Sequence, residues 1–429
     1  MRTLLNKAII IRLSLLETGG DRMTQKEPLY FHVDVNNAFL SWEALYRLQE
    51  LGESEDIREL DAIIGGDISK RHGVVLAKSQ SAKRYGVKTG EPIVSALKKC
   101  PNLQVFQPHM EYYRKRSREL MELLSQYAPV VEQYSVDEAF LDMTGTYSLY
   151  GEPVAFAKKL QQEIKEKLAF TVNIGISSNR LLAKMASDFS KPNKVHTLFP
   201  KEIKTKMWPL PIEDLFYVGK STATKLHSLG IHTIGDIAVS DLAVLTSHLK
   251  KHGETIYQFA NGLDFTLEDR TDSEQKGYGN SKTIPYDIMV EEDAYHILME
   301  LCESVCMRMR KASVQATVLS VEIKDNNFVV KRHQRTLLSP TDVTDECYQI
   351  ACELFNELWD GTPIRLLGVS ANKVTEGEMR QLNLFDNESH DKLKKLDSAL
   401  DSIREKYGTE SVKRGSFYLA DKSQQGKKN

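Results

Sequence analysis

"EQYSVDEAFLD", residues 132–142, sets Asp137 and Glu138 side by side in the middle of an apolar and aromatic run. On a regular strand successive side chains point to opposite faces, so two adjacent acids serve one centre only where the backbone turns. A tight hairpin between "VVEQYS" and "EAFLDMT", with both acids at or next to its turn, brings them together at the end of a sheet. Upstream, "LYFHVDV" (29–35) reads as a buried strand feeding the helix "NNAFLSWEALYRLQE" (36–50), with Asn36 or Asn37 as N-cap. Asp34 closes that strand directly before the helix, the usual place for a site residue in an open sheet. Three carboxylates converging with few bases among them repel unless cations neutralise them. Hard oxygen ligands without His or Cys point to Mg2+ or Mn2+. Two such ions about 3.5–4 Å apart are a known device for in-line phosphoryl transfer. Alone, Asp137 reads equally well as a solvated turn residue; the combination carries the metal reading.

Around this stretch strands and helices alternate without the regularity of a doubly wound fold, which predicts an α+β core with helices on one face. Two short strands flank a Gly-rich turn in "DAIIGGDISKRHGVVLAKS" (61–79). From 203 to 264 the pattern is all helical, in short pieces broken by Gly and Pro. Residues 265–276, "FTLEDRTDSEQK", read as a linker. Beyond it the order helix, strand, strand, helix, strand spells a second α+β domain. A polar tail with one more helix over 389–407 follows.

The length of 429 residues predicts two to four domains, and 41% hydrophobic with 27% charged residues is ordinary soluble composition. With 57 Lys and Arg against 59 Asp and Glu, the net charge of −2 gives no sign of a polyanionic partner, so any nucleic-acid surface must be local. Five cysteines without C-x-x-C spacing fit buried thiols in a reducing, cytoplasmic setting rather than disulfides or a metal site. The start, residues 1–27, reads as a dispensable extension: Arg12 breaks its apolar stretch, and nothing reaches the ~20 residues of a membrane span.

The blocks "FHVDVNNAF", "VLAKSQSAKRYGVKTGEP", "YSVDEAFLD", "NIGISSNRLLAKMASDFSKPN", "LFYVGKSTATKLHSLGIHTIGDI", "YGNSKTIPYDI" and "QLNLF" occur in this order over residues 28–385. Together they resemble a Y-family translesion DNA polymerase, nearest the DNA polymerase IV branch. The resemblance implies a multidomain α+β right hand. The palm would be 28–37 and 104–200, the fingers 38–103, and the thumb 201–264 with a helix-hairpin-helix. The little finger would follow the linker at 277–376, and the tail would be 377–429. It makes Asp34, Asp137 and Glu138 the metal ligands, with the Val35 carbonyl as a further one, and two Mg2+ ions the cofactor. Phe39 falls at the aromatic steric gate that would exclude a ribose 2′-OH; without the resemblance it is a helix-face aromatic. Lys184 matches a triphosphate-binding lysine, though taken alone it is a solvated helix charge. Tyr113 and Ser117 match positions near the incoming nucleotide and read equally as packing and capping residues. Where the family commonly places Tyr and Arg on the triphosphate, this chain has Gln80 and Lys83. Lysine neutralises phosphate but lacks the bidentate fork of arginine. Asn36 replaces a second acid.

Gly219-Lys220-Ser221 tempts a phosphate-loop reading, but that motif needs Gly where Asp214 stands. A hairpin whose Gly219 permits a tight turn and whose next helix offers its N-terminus to a DNA phosphate fits better. Lys311, Lys324, Lys331, Arg332 and Arg335 face only Glu322 and Asp325 over 311–335, a local +3 that could track a duplex backbone or be a solvated face. In the polar tail Gln381, Leu382, Leu384 and Phe385 form an apolar docking peptide that looks like a sliding-clamp binding motif.

The expected activity is template-directed addition of deoxynucleotides to a primer 3′-OH, low in fidelity and without proofreading. The chain would act as a monomer, on primer-template DNA and deoxynucleoside triphosphates, with a sliding clamp and no membrane. Three other readings are an inert DNA-bound accessory that docks on the clamp, a nucleotidyl cyclase, and a polymerase V type catalytic subunit that needs helpers.

Overall fold

The computed structural model describes residues 27–67, 73–264, 275–376, 387–408 and 411–412. The chain divides into two compact units, one drawn from Met1–Gly66 and Val74–Thr271, the other from Asp272–Asn429 with Asp67–Gly73.

In the first unit the strands are β1 (Tyr30–Val35), β2 (Ala62–Gly65), β3 (Val75–Lys78), β4 (Gln104–Phe106), β5 (Val130–Gln133), β6 (Glu138–Asp142), β7 (Val172–Ser177) and β8 (Val195–Thr197). They build a five-stranded sheet in the order β5-β6-β1-β7-β8 and a three-stranded sheet β3-β2-β4. β1 is central and antiparallel to both neighbours. Alternation divides its residues: Phe31, Val33 and Val35 enter a core with Leu120, Leu124, Phe156 and Leu160 of the helices Met110–Leu124 and Pro153–Leu168. His32 and Asp34 point the other way, towards the helix Arg180–Asp188.

That second helical layer departs from the expectation of helices on one face. Gly175 of β7, paired with His32, is what admits it. A Cβ at Gly175 would lie 2.0 Å from the Ala183 carbonyl oxygen and 2.4 Å from the Ser187 nitrogen, so helix backbone rests directly on strand backbone. The helix starts at Asn179, whose side-chain oxygen accepts from Leu182 N at 2.8 Å, a cap worth about 1 kcal/mol. The helix after β1 spans Ala38–Leu45 and continues as a wider turn to Glu50. Asn37 sits at its N-cap in a left-handed conformation, but its side chain donates to the Lys78 carbonyl (2.7 Å) instead of capping the helix. Short helices from Ile203 to Ala260 surround a core of Met207, Ile212, Leu226, Ile234, Ile237, Leu245, Ile256 and Phe259.

The second unit is an antiparallel sheet of β9 (Gly277–Ile288), β10 (Val314–Asp325), β11 (Val330–Thr341) and β12 (Ile364–Glu376), ordered β11-β10-β12-β9. The helices Glu291–Lys311 and Thr344–Leu358 pack on one face, against Leu319, Val321, Ile323, Leu367 and Val369. The sequence reading lacked β9, because this edge strand is Gly- and Ser-rich, contains Pro285, and is buried at only three of its twelve positions. A last helix, Asn387–Tyr407, is held by Arg310, which reaches Asp397 (3.0 Å) and Asp401 (2.6 Å). All five cysteines are free, and four are buried. Among the described residues no helix is long and apolar enough to cross a membrane.

Candidate active site

β5 and β6 form a hairpin whose turn is Tyr134–Asp137, closed by Tyr134 N and Ser135 N donating to the Glu138 carbonyl (2.9 and 3.2 Å). β6 pairs with β1 so that Glu138 lies directly across from Asp34. Residues opposed in an antiparallel pair share a face with Cβ atoms about 4.5–5.5 Å apart, so these two carboxylates occupy one patch. Asp137 is fastened beside them. Its carbonyl accepts from Val35 N at 3.0 Å, and its carboxylate accepts from Ser135 Oγ at 2.6 Å.

Two ammonium groups sit on this patch. Lys191 Nζ is 2.9 Å from Asp34 Oδ1 and 2.9 Å from Asp188 Oδ1. Lys184 Nζ is 2.8 Å from Glu138 Oε2 and lies over the rings of Tyr134 (5.1 Å) and Phe216 (5.4 Å). Behind Glu138, His32 is fully buried; its Nδ1 bonds Ser187 Oγ at 2.8 Å, while Nε2 stands 3.6 Å from Glu138 Oε2, beyond hydrogen-bond reach. Burial pushes the Asp34 pKa up to about 7 against the pull of Lys191, with Glu138 adding like-charge repulsion. Burial works the same way on Glu138, but His32 and Lys184 outweigh it and hold that carboxyl below its ordinary range; by distance Lys184 is the partner that counts. Burial keeps the His32 pKa low.

Among the described residues no three His, Cys, Asp or Glu side chains stand close enough together to hold a metal ion as they are placed. The donor chemistry nevertheless fits hard divalent cations. The donors are carboxylates without sulfur or free imidazole, and one is buried enough to resist ionisation unless positive charge is beside it. Lysines supply that charge here.

Nothing local in "SKPN" marks Lys191 as a site residue. Its signal is three-dimensional. The loop that carries it is tied down by two buried amides: Asn193 N donates to Asn36 Oδ1 (2.8 Å), and Asn36 Nδ2 donates to Asn173 Oδ1 (3.1 Å). Asn173 also donates to the Ser187 and Ser190 carbonyls at 2.9 and 2.8 Å. The amide at position 36, read as a missing acid, is thus a structural knot.

Phe39 lies half-buried on the helix after β1, its ring 5.2 Å from that of Tyr113. Tyr113 is fully buried and donates to Glu43 at 2.7 Å, and buried Ser117 accepts from Gln133 Nε2 at 3.1 Å. Neither hydroxyl faces solvent, and each has a protein partner. Lys184 is likewise committed: its side chain is 8% exposed against 37% for Lys191. Gln80 and Lys83 are exposed on the short helix Gln80–Arg84, capped by Ser79.

Gly219 has φ −87° and open space where a Cβ would go, so no tight turn depends on it; the left-handed residue of this hairpin is Tyr217. Gly219, Lys220 and Ser221 are exposed at the start of the helix Lys220–Ser228. In the second unit the basic run divides. Lys331 and Arg335 lie opposite Ile323 and Leu319 on the helix-bearing face, whereas Arg332 and Lys324 lie on the other. Lys331 pairs with Asp360 (2.6 Å), Arg332 with Glu322, and Arg335 with Glu353 and Glu357. The local count of +3 included Glu322 but missed Asp360, Glu353 and Glu357, because these come from distant segments. Residues 381–385, with the expected docking peptide, and residues 1–26 lie outside the described residues.

Comparisons with known proteins agree with this architecture. The impB/mucB/samB family profile matches residues 33–188, the C-terminal domain profile of that family matches 275–384, and its helix-hairpin-helix motif matches 200–231. The chain is 46% identical over 385 residues to DNA polymerase IV of Clostridium acetobutylicum, covering 90% of this chain and 96% of that protein. It is 34% identical over 403 residues to DNA polymerase IV 2 of Bacillus subtilis, covering 92% and 96%. A solved Y-family DNA polymerase chimera shares the fold with a TM-score of 0.67 at 22% identity, over 81% of this chain and all of the chimera. A sheet end of paired carboxylates, an all-helical segment and a separate four-stranded unit, arranged in that order along a chain so similar to DNA polymerases IV, place this protein in the impB/mucB/samB family of Y-family DNA polymerases.

Proposed function

We propose that this chain is a template-directed DNA polymerase that extends a primer 3′-OH with deoxynucleotides in low-fidelity translesion synthesis. The observation that carries the proposal is the Asp34–Glu138 cross-strand pair with Asp137 at the adjoining turn, in a chain 46% identical to a DNA polymerase IV. Asp34, Asp137, Glu138 and the Val35 carbonyl would hold two Mg2+ ions. Such ions activate the attacking oxygen and stabilise the leaving group.

The chain's own groups do the remaining work. The Asp34 carboxylate is buried and cation-dependent, so it gathers positive charge where a triphosphate arrives. Lys191, the more exposed ammonium, is placed to trade its carboxylate contacts for phosphate oxygens, whereas Lys184 holds Glu138 in place. Lys83 gives a further point charge from the fingers. Phe39 would stand against the sugar and exclude a 2′-OH. The exposed helix N-terminus at Gly219-Lys220-Ser221 offers N–H groups to a DNA phosphate, a contact that any sequence satisfies. In the little finger, the face without helices carries Lys324, Arg332, Ser320 and Ser370. Exposed ion pairs such as Arg332–Glu322 are worth about 0–1 kcal/mol, so phosphates can replace them easily. Gln381, Leu382, Leu384 and Phe385 would dock on a sliding clamp, with the chain a cytoplasmic monomer.

Primer extension with Mg2+ tests this reading. The native chain should extend a primer on undamaged and abasic templates, and Asp137→Ala should lose extension while retaining DNA binding. Clamp stimulation should vanish in Leu384→Ala with Phe385→Ala. A native chain that binds DNA but extends no primer would return the inert-accessory reading, and an Asp137→Ala protein that extends as well as the native chain would overturn the carboxylate site.

A further inference from the structure

Glu43 is a carboxylate with no exposure at all, on the helix that carries Phe39 and one turn beyond it. Positions i and i+4 lie on one helix face, so Glu43 sits directly behind Phe39. A buried carboxylate is costly unless it is surrounded by donors, and this one is. Tyr113 OH donates to its Oε2 at 2.7 Å, His109 Nδ1 lies 3.0 Å from the same oxygen, and Arg47 Nη1 is 3.7 Å from Oε1. The partners are themselves fixed: Tyr46 stacks on His109 at 4.1 Å, and Arg47 is bonded to Glu53 at 3.0 Å. Burial and then Glu43 push the Tyr113 pKa far up, so the phenol is always a donor. The Tyr113 ring is what Phe39 leans on, at 5.2 Å, with Trp42 6.4 Å from Phe39 and 6.0 Å from Tyr113.

We propose that Glu43 is a positioning residue for sugar selection: through Tyr113 it fixes the aromatic plate that keeps the Phe39 ring from retreating before a ribose 2′-OH. This rests on the assignment of Phe39 as the sugar gate. A gate that can tilt back excludes little, so discrimination depends on what stands behind the ring as well as on the ring. Glu43 touches neither sugar nor phosphate, and its effect passes entirely through ring placement.

The test measures kcat/KM for a deoxynucleotide and for the matching ribonucleotide with the full-length chain, in Tyr113→Phe, Glu43→Gln, the double variant and Phe39→Ala. Tyr113→Phe keeps the ring and removes only the hydroxyl, so it stays informative if Glu43→Gln folds poorly. Each single variant should lower deoxy-over-ribo selectivity about tenfold, equivalent to about 1.4 kcal/mol. The double variant should lose little more than either single, as groups acting in one chain do. A merely structural role would lower both efficiencies together and leave their ratio unmoved. Selectivity within about twofold of the native value in both single variants, with selectivity collapsed in Phe39→Ala, overturns the role of Glu43 and leaves the gate standing. Unchanged selectivity in Phe39→Ala overturns the gate itself and the role of Glu43 with it.

Discussion

Gly175→Ala is the smallest change that should disable this protein from a distance. The added methyl would sit 2.0 Å from the Ala183 carbonyl oxygen, where ordinary contact begins near 3.4 Å, so about 1.4 Å must be found. The atoms in the way are helix backbone, which cannot rotate aside like a side chain. The helix Arg180–Asp188 must therefore lift off the sheet. Overpacking of this kind costs typically about 1–3 kcal/mol, and the lifted helix carries Lys184, Ser187 and Asp188, which hold Glu138, His32 and Lys191 in turn. A displacement of about 1 Å at positioning groups can cost on the order of 100-fold in rate. Urea denaturation should show the loss of stability, and single-nucleotide incorporation the loss of rate in protein that remains folded. Stability within about 0.5 kcal/mol of the native chain, together with a rate within about twofold, would refute direct helix-on-strand packing as the device that builds the site.

Three further changes follow from the same contacts. Lys191→Ala should raise KM for the incoming nucleotide about tenfold or more, because a charge-assisted contact is worth about 1.5–3 kcal/mol; steady-state kinetics at fixed Mg2+ reads it, with Lys191→Arg recovering part of the loss. Asn173→Ala should destabilise the protein by at least about 2 kcal/mol in urea titration, since the Ser187 and Ser190 carbonyls and the Lys194 N–H lose their partner in a buried site. Arg310→Ala should strip the counter-charge from buried Asp397, a loss of about 3–5 kcal/mol at that pair; limited proteolysis should then cut within Asn387–Tyr407.

The sequence made the hairpin at Tyr134–Asp137 legible because adjacent acids inside an apolar run contradict a continuous strand, and only a turn resolves the conflict. Family resemblance and α+β class were legible in long, ordered blocks. What escaped was whatever depends on contacts between distant segments. Lys191 shows no local pattern; it becomes a site cation only when "SKPN" is folded back onto Asp34. The acids that neutralise Lys331 and Arg335 stand 18 to 29 residues away in sequence, so no window count could include them. Gly175 shows no local reason to be glycine within "NIGISS", because the need for it comes from a helix that begins only after the strand ends. β9 lacked the alternation that marks a half-buried strand, since its exposed positions outnumber its buried ones.

The lysines at the carboxylates explain why so acidic a patch survives in a folded protein. Asp34 and Glu138 face each other across a strand pair, and burial penalises both as anions. Without compensation this end of the sheet would either protonate or spread apart. Lys184 compensates Glu138 from a position packed against two aromatic rings and is nearly inaccessible to solvent. Lys191 compensates Asp34 from a loop, shared with Asp188 and open to solvent on one side. An ammonium divided between two carboxylates holds each less firmly than one devoted to a single partner, and a multiply charged ligand competes well for it. The fold therefore encloses one counter-ion and leaves the other open to solvent, and the open one stands at the strand end where metal and triphosphate would have to enter.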